Sequence, residues 1–294
     1  MTSPTPAFLP PCPSPRRDAG VRPLEGFSVV FAWGLRRGFA GGRFRWVAGC
    51  VVGFGALLGL LVSQNTSAIE ALFGFLDNGA FGIAVPLVAL ALVGRGYAEE
   101  VSDQTLVYHL VRPVSRATVY LGRFAAGALP GVVAAAAMVL ALLATSGVTL
   151  DALTYVQVAA VAAIGALTVG SVYYALAAVL KRGLIGGLVY TLVVEGLFQF
   201  LPGATQNLSL MHHVRSLLHR LTDADFASRS REIAERLRSN APPPGASRGS
   251  MLQRAVEVWS EPSTVYAVCA TVCVASLVVG VLAVKRRDYA LKDA

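Results

Sequence analysis

Glu195 is a lone carboxylate within an otherwise apolar run from Leu184 to Leu201. A charged group at the middle of a bilayer costs roughly 2.5–3.5 kcal/mol on insertion scales, so this one should face protein or a water-filled cavity. Thr191 and Gln199 stand four residues to either side, and Gly187 extends the row, so a helix would carry one polar stripe ending in a small residue. Such a stripe suits a proton or substrate site, or a structural hydrogen bond between helices or across a dimer interface; the second asks less of the surroundings and is preferred. His212, His213 and His219 form another cluster. No Cys or carboxylate completes a metal-ligand set around them, and surface amphipathic helices often carry histidine, so no metal is expected. Other sites of chemistry are missing: there is no P-loop, no nucleophile elbow, no HExxH and no pair of carboxylates within one span. The chain is therefore not expected to be an enzyme or to bind a cofactor.

The elements that would position these residues follow from composition. Apolar residues make up 55% of the 294 and charged residues 14%, against roughly 25% charged in a soluble domain. Mean hydropathy is +0.60, so most of the chain must meet lipid. A disordered protein is excluded by this composition, and a cytosolic enzyme is disfavoured. The net charge of +8 could suit nucleic acid, but membrane orientation accounts for it without a nucleic-acid partner.

A membrane-spanning helix needs roughly 17–25 mostly apolar residues. Six runs qualify, at 46–62, 79–96, 124–145, 155–180, 184–201 and 264–284, the second bent at Pro86 and the third carrying Pro130. The fold class is thus an all-α integral membrane protein with a six-span domain over 46–284. Seventeen of the 25 Lys and Arg fall before the first span, in the second and fourth connections and in the tail at 285–294. The opposite short connections, Ser63 to Asn78 and Ser146 to Thr154, hold Glu70, Asp77 and Asp151 and no basic residue. By the positive-inside rule both termini are cytoplasmic and the protein sits in the inner membrane.

Outside the spans, residues 1–23 read as a flexible Pro-rich cytoplasmic tail with no signal peptide. Residues 24–45 mix Phe27, Val30, Phe31, Trp33 and Leu35 with Arg36, Arg37 and Arg43, as befits an interfacial helix on membrane lipid. The external loop 202–263 shows helical periodicity twice, over Leu208 to Leu221 and Phe226 to Leu237, which predicts amphipathic helices at the outer surface. Glycines four apart (Gly49 and Gly53, Gly55 and Gly59, Gly127 and Gly131) predict close helix packing.

The most specific stretch joins spans two and three. Glu99 and Glu100 begin it, Thr105 and Leu106 follow, and Leu110, Arg112, Pro113, Val114, Ser115 and Arg116 lead to Leu121, Gly122 and Arg123. A helix over 98–111 would place acidic residues where its dipole favours them and stop at Pro113. Leu106 and Leu110, with Tyr108 nearby, would make an apolar knob suited to a groove on a partner; a solvated loop fixing topology explains the charges equally well. An acidic residue, a Thr-Leu pair, Pro-Val-Ser-Arg and a Leu-Gly-Arg step into the third span resemble the permease subunits of type-2 ATP-binding-cassette (ABC) exporters. The six spans, the interfacial helix, the Glu in span five and the Lys285, Arg286, Arg287 and Asp288 tail resemble that family too, while His109 and the long Arg-rich outer loop depart from it.

The resemblance implies a permease that forms the translocation pathway as a homodimer or with a similar partner. It also implies a separate ATPase subunit, carrying ATP and magnesium, docked on Glu99, Glu100, Thr105, Leu106, Leu110, Arg112, Pro113 and Arg116. The competing expectations are a secondary transporter using Glu195 as a proton site and a membrane scaffold that transports nothing.

Overall fold

The computed structural model describes residues 23–40, 42–64, 68–94, 115–180, 183–197, 209–221 and 262–286. All the regular structure among them is helical. We number the helices α1 (Pro23–Ala40), α2 (Gly42–Ser63), α3 (68–94), α4 (Arg116–Thr145), α5 (Ala152–Val179), α6 (183–197), α7 (Leu210–Leu221) and α8 (Pro262–Arg286). Five are long and apolar enough to cross a membrane: Phe44–Ser63 of α2, Ala71–Gly94 of α3, and the whole of α4, α5 and α8. The apolar part of α6, Leu184–Gly196, is shorter.

Helix α4 is the hub, packing against α1, α2, α5 and α8, while α5 carries α3, α6, α7 and α8 on its remaining faces. Ser115 starts α4 as its N-cap, accepting from the Thr118 N–H at 3.1 Å. The helix therefore begins two turns before the predicted start at 124. Those turns hold α1: the Arg123 guanidinium lies 4.2 Å from the centre of the Trp33 ring, Val30 packs on Gly122, and Gly34 meets Ala126. One end of the bundle closes around Tyr120, Phe124 and Tyr174, whose rings lie 4.8 and 5.3 Å apart about Tyr174. The larger core runs through α2, α3, α4, α5, α7 and α8 and includes Phe81, Met138, Tyr173 and Leu217.

Three expectations need correction. The second span does not start at 79: the chain is helical from Ala68, so Asp77, assigned above to a connection, lies inside a membrane-length helix. Asp77 and Asn78 lower the local hydropathy enough to mask the apolar residues before them. The second correction concerns α7, which is not laid on a surface; Leu210, Met211, Val214, Leu217 and Leu218 are buried together with Ser216 and Arg215. Its polar groups find partners inside the protein, which no periodicity records. The third concerns the glycines. Gly55 meets Met138 and Gly59 meets Leu142 and Thr145, and Gly131 lies against Val93, but Gly49 and Gly53 have open space where a side chain would project. Residues 1–22, the connection 95–114, Gln199, the second amphipathic stretch at 226–237 and the tail beyond 286 lie outside the described residues.

Helix α3 is irregular for a reason visible in its sequence. It is π-helical over Phe75–Ala84 and again over Leu90–Gly94, with the α-helical turn Val85–Ala89 between. Pro86 cannot donate a backbone hydrogen bond, and in a regular helix its ring collides with the carbonyl four residues back. The widened turns just before it relieve that collision.

The glycine contacts of α2 give a paired test. Gly59→Leu forces a side chain into the Leu142 carbonyl and should destabilise the protein by about 1–3 kcal/mol, the usual range for overpacking. Gly53→Leu, on the open side of the same helix, should leave thermal unfolding in detergent unchanged or slightly raised.

Candidate functional site

Two carboxylates reach into the bundle from membrane-length or apolar helices, and both reach α7. Each sits on a π-helical segment, Asp77 on Phe75–Ala84 and Glu195 on Thr191–Leu197. Such widened turns are rare and are frequent at functional positions.

Glu195 is 1% exposed and lies at the start of α7. Its Oε2 accepts from the Ser209 hydroxyl at 2.6 Å and the Met211 N–H at 3.1 Å. Its Oε1 accepts from the Leu210 N–H at 3.3 Å and the Tyr190 hydroxyl at 3.1 Å. Ser209 is the N-cap of α7, accepting from the His212 N–H at 3.2 Å. Between them, Ser209 and Glu195 satisfy the first three N–H groups of the helix, which have no partner within it. Negative charge at this end also complements the helix dipole. Four donors thus converge on a side chain that in its carboxylate form only accepts.

The polar stripe continues down α6. Thr191 donates to the Gly187 carbonyl at 2.8 Å and meets the Tyr173 hydroxyl of α5 at 2.7 Å, so Tyr173 is the donor in that pair. The Tyr173 and Tyr190 rings meet edge to face, 5.9 Å apart. Of the stripe predicted from sequence, Thr191 and Glu195 are therefore both buried and hydrogen-bonded, and Glu195 joins helix to helix; Gln199 is outside the described residues.

At the other end of α7, Asp77 Oδ1 lies 3.5 Å from Arg215 Nε and 3.6 Å from His219 Nε2. These are ion-pair distances, too long for strong hydrogen bonds. Asp77 Oδ1 and both Nε and Nη2 of Arg215 are buried and make no hydrogen bond. The Arg215 guanidinium lies against α3, with Nη2 2.5 Å from where a Cβ on Gly82 would be, so a side chain there would displace it. Burial pushes His212 below the usual imidazole range, and neighbouring His213 and Arg215 push it the same way. Burial also pulls Arg215 below the usual guanidinium range, with Asp77 and Glu195 countering it.

Sequence reasoning missed Asp77, and the partnership of α7 with two carboxylates. The usable signal was the amphipathic repeat of α7 with Arg215 and His219 four apart on one face, a basic pair that needs an acid opposite it. The predicted docking residues fare differently. Glu99, Glu100, Thr105, Leu106, Leu110, Arg112 and Pro113 lie outside the described residues, while Arg116 opens the first turn of α4. Among the described residues, no group of three His, Cys, Asp or Glu could hold a metal ion.

Glu195→Ala leaves the buried donors of α7 without an acceptor, and at about 1–3 kcal/mol for each unsatisfied group it should lower stability by at least about 2 kcal/mol. Ser209→Ala, which removes the cap alone, should cost about 1 kcal/mol. Thermal unfolding of the purified protein reads both, and a Glu195→Ala variant as stable as its parent would contradict the capping role. No protein-family model matches this chain, and no curated protein is similar to it, so the reading of the site rests on its own residues.

Proposed function

We propose that this chain is the membrane-spanning permease subunit of an ABC exporter. The observation that carries the reading is the run from Glu99 to Arg123, with its Thr-Leu pair, Pro-Val-Ser-Arg and Leu-Gly-Arg step between two membrane helices. Supporting it, Ser115 and Arg116 of that run coincide with the cap and first turn of α4, the helix with the most extensive packing in the bundle. A force applied at the connection would enter α4 at its end and reach α1, α2, α5 and α8 together. In this reading Leu184–Gly196 belongs to a fifth span, giving six, with both termini on the cytoplasmic side of the inner membrane. Two permease chains, identical or similar, line the pathway. A separate ATPase binds ATP and magnesium and docks on Glu99 to Arg116, and its closure switches access across the bilayer through α3 and α4. This chain performs no hydrolysis itself.

The second reading, a secondary transporter with Glu195 as its proton site, draws on the burial of that carboxylate. The four donors around it favour a fixed structural role instead, because a group tied to the start of a helix cannot shuttle without releasing that helix.

Replacing Leu106, Arg112 and Arg116 together with Ala should abolish co-purification with the co-expressed ATPase subunit while membrane insertion persists. Retention of the ATPase by the triple variant would count against docking through this connection. Glu195→Gln tests the second reading: transport that keeps its rate at every pH would eliminate an obligatory protonation at Glu195.

A further inference from the structure

Helix α3 is as well buried as α4 along its membrane-length part, yet it keeps one outward stripe, in which Gly74, Asn78, Ile83 and Leu87 are exposed. The step from 78 to 83 is five residues rather than four, in keeping with the widened turn over Phe75–Ala84. Helix α6 covers only the C-terminal end of α3, where Gly187 meets Leu90, so the stripe toward the N-terminal end stays open. Gly74 has free space where a side chain would project, and Ala71, Phe75, Asn78, Gly79 and Ile83 line a groove of about 390 Å³ beside it.

Asn78 is out of place on a surface that meets lipid. It lies seven residues into the membrane-length part Ala71–Gly94, roughly 10 Å along the helix at ~1.5 Å per residue. Its carboxamide has two donor hydrogens and an acceptor oxygen. Among the described residues it makes a single hydrogen bond, from Nδ2 to the Gly74 carbonyl at 3.4 Å. Lipid tails offer the remaining groups nothing, and an unmatched amide in an apolar medium is costly. Between two helices the same amide draws the segments together.

We infer that this stripe of α3 is the face on which a second copy of the chain docks, with Asn78 hydrogen-bonded to the partner's Asn78 across a twofold axis along the membrane normal. A polar group held at a fixed depth needs a partner at the same depth, and a copy inserted in the same orientation supplies one. The carboxamide is also self-complementary, since each amide donates to the oxygen of the other, and the contact is isologous as a twofold axis requires. Ala71 and Gly74 allow the backbones to approach closely. Like charges are kept apart, because Asp77 is engaged by Arg215 and His219 of its own chain. The inference rests on the permease reading for what the pair of chains does, whereas the face itself is read from α3.

The test is disulfide cross-linking of the full-length chain in membranes, expressed without an ATPase and with Cys12, Cys50, Cys269 and Cys273 replaced by Ala. A disulfide requires Cα atoms within about 7 Å. Under mild oxidant Gly74→Cys and Asn78→Cys should each give a linked homodimer, whereas Val274→Cys, 62% exposed on α8, should not. Adding Asn78→Leu to Gly74→Cys should strip most of the link, and Asn78→Gln, which keeps the carboxamide, should retain it. Energy transfer between labelled copies diluted in vesicles should show dissociation about five- to thirtyfold easier for Asn78→Leu, the range that one such hydrogen bond contributes between model helices. Monomers at both 74 and 78, equal linking at 274, linkage to a different protein, or an Asn78→Leu chain that associates as tightly as its parent overturns the inference. Asn78 is exposed, so Asn78→Leu should unfold at the parent's temperature, which separates a lost dimer from a lost fold. A linked dimer that binds no ATPase on co-expression removes the permease reading and leaves this face standing; a monomer that retains the ATPase does the reverse.

Discussion

A carboxylate drawn out of water needs hydrogen-bond donors from the protein, and at Glu195 two of these are the first peptide groups of another helix. The need is mutual, since a helix end buried without caps leaves its leading N–H groups equally exposed to an apolar medium. Each liability cancels the other. The consequence is positional: α7 cannot slide along the bundle without exposing both. Its packing follows from that fixed point, with Val214 set into the gap at Gly165 and Leu217 and Leu218 in the main core. The same carboxylate holds Tyr190 and so ties down the π-helical part of α6, the least extensive of the apolar helices.

Around that point the bundle uses two other means of holding helices together in an apolar medium. Where backbones approach closely, as at Gly55 and Gly59 against α4, dispersion contacts between small residues do the work. Where polar side chains cross, they meet in pairs: Tyr173 with Thr191, Ser171 with Ser276 at 2.8 Å, and Thr145 of α4 with the Ala56 carbonyl of α2 at 3.0 Å. The aromatic cluster about Tyr174 is of a third kind, a wedge that closes one end. There the Tyr120 ring fills the notch at Gly280 of α8.

Much of the scaffold was legible in the sequence, because bilayer thickness converts directly into run length. The runs at 46–62, 124–145 and 264–284 lie within helices and that at 155–180 overruns its helix by one residue, and the extra turns of α4 belong to a polar start that hydropathy ignores. The close contacts of Gly55, Gly59 and Gly131 were legible in their spacing; Gly49 and Gly53, with the same spacing, face outward, because spacing gives a face but not its neighbour. Glu195 was identified from its cost in lipid alone. What was not legible was the pairing of charges between distant segments. Asp77 read as a loop residue and Arg215 as part of a surface helix, since each is polar by itself and becomes compatible with burial only in the company of the other. Hydropathy is a property of one segment, whereas neutralisation is a property of two.

The widened turns of α3 and α6 carry one more implication. A π turn holds one residue more than an α turn, so it is equivalent to an insertion that the helix has absorbed without a loop. Returning such a turn to α geometry would rotate everything beyond it by about 100°, the angle between successive residues in a helix of 3.6 per turn. In α3 that rotation would carry Asp77 and Gly82 to different faces, and in α6 it would turn Glu195 away from Ser209. The length of each helix is therefore fixed to the single residue: the chain has coupled its charge pairs to an exact count of amino acids, and a deletion of one residue within 75–84 or 191–197 is a rearrangement of the charge map rather than a local shortening.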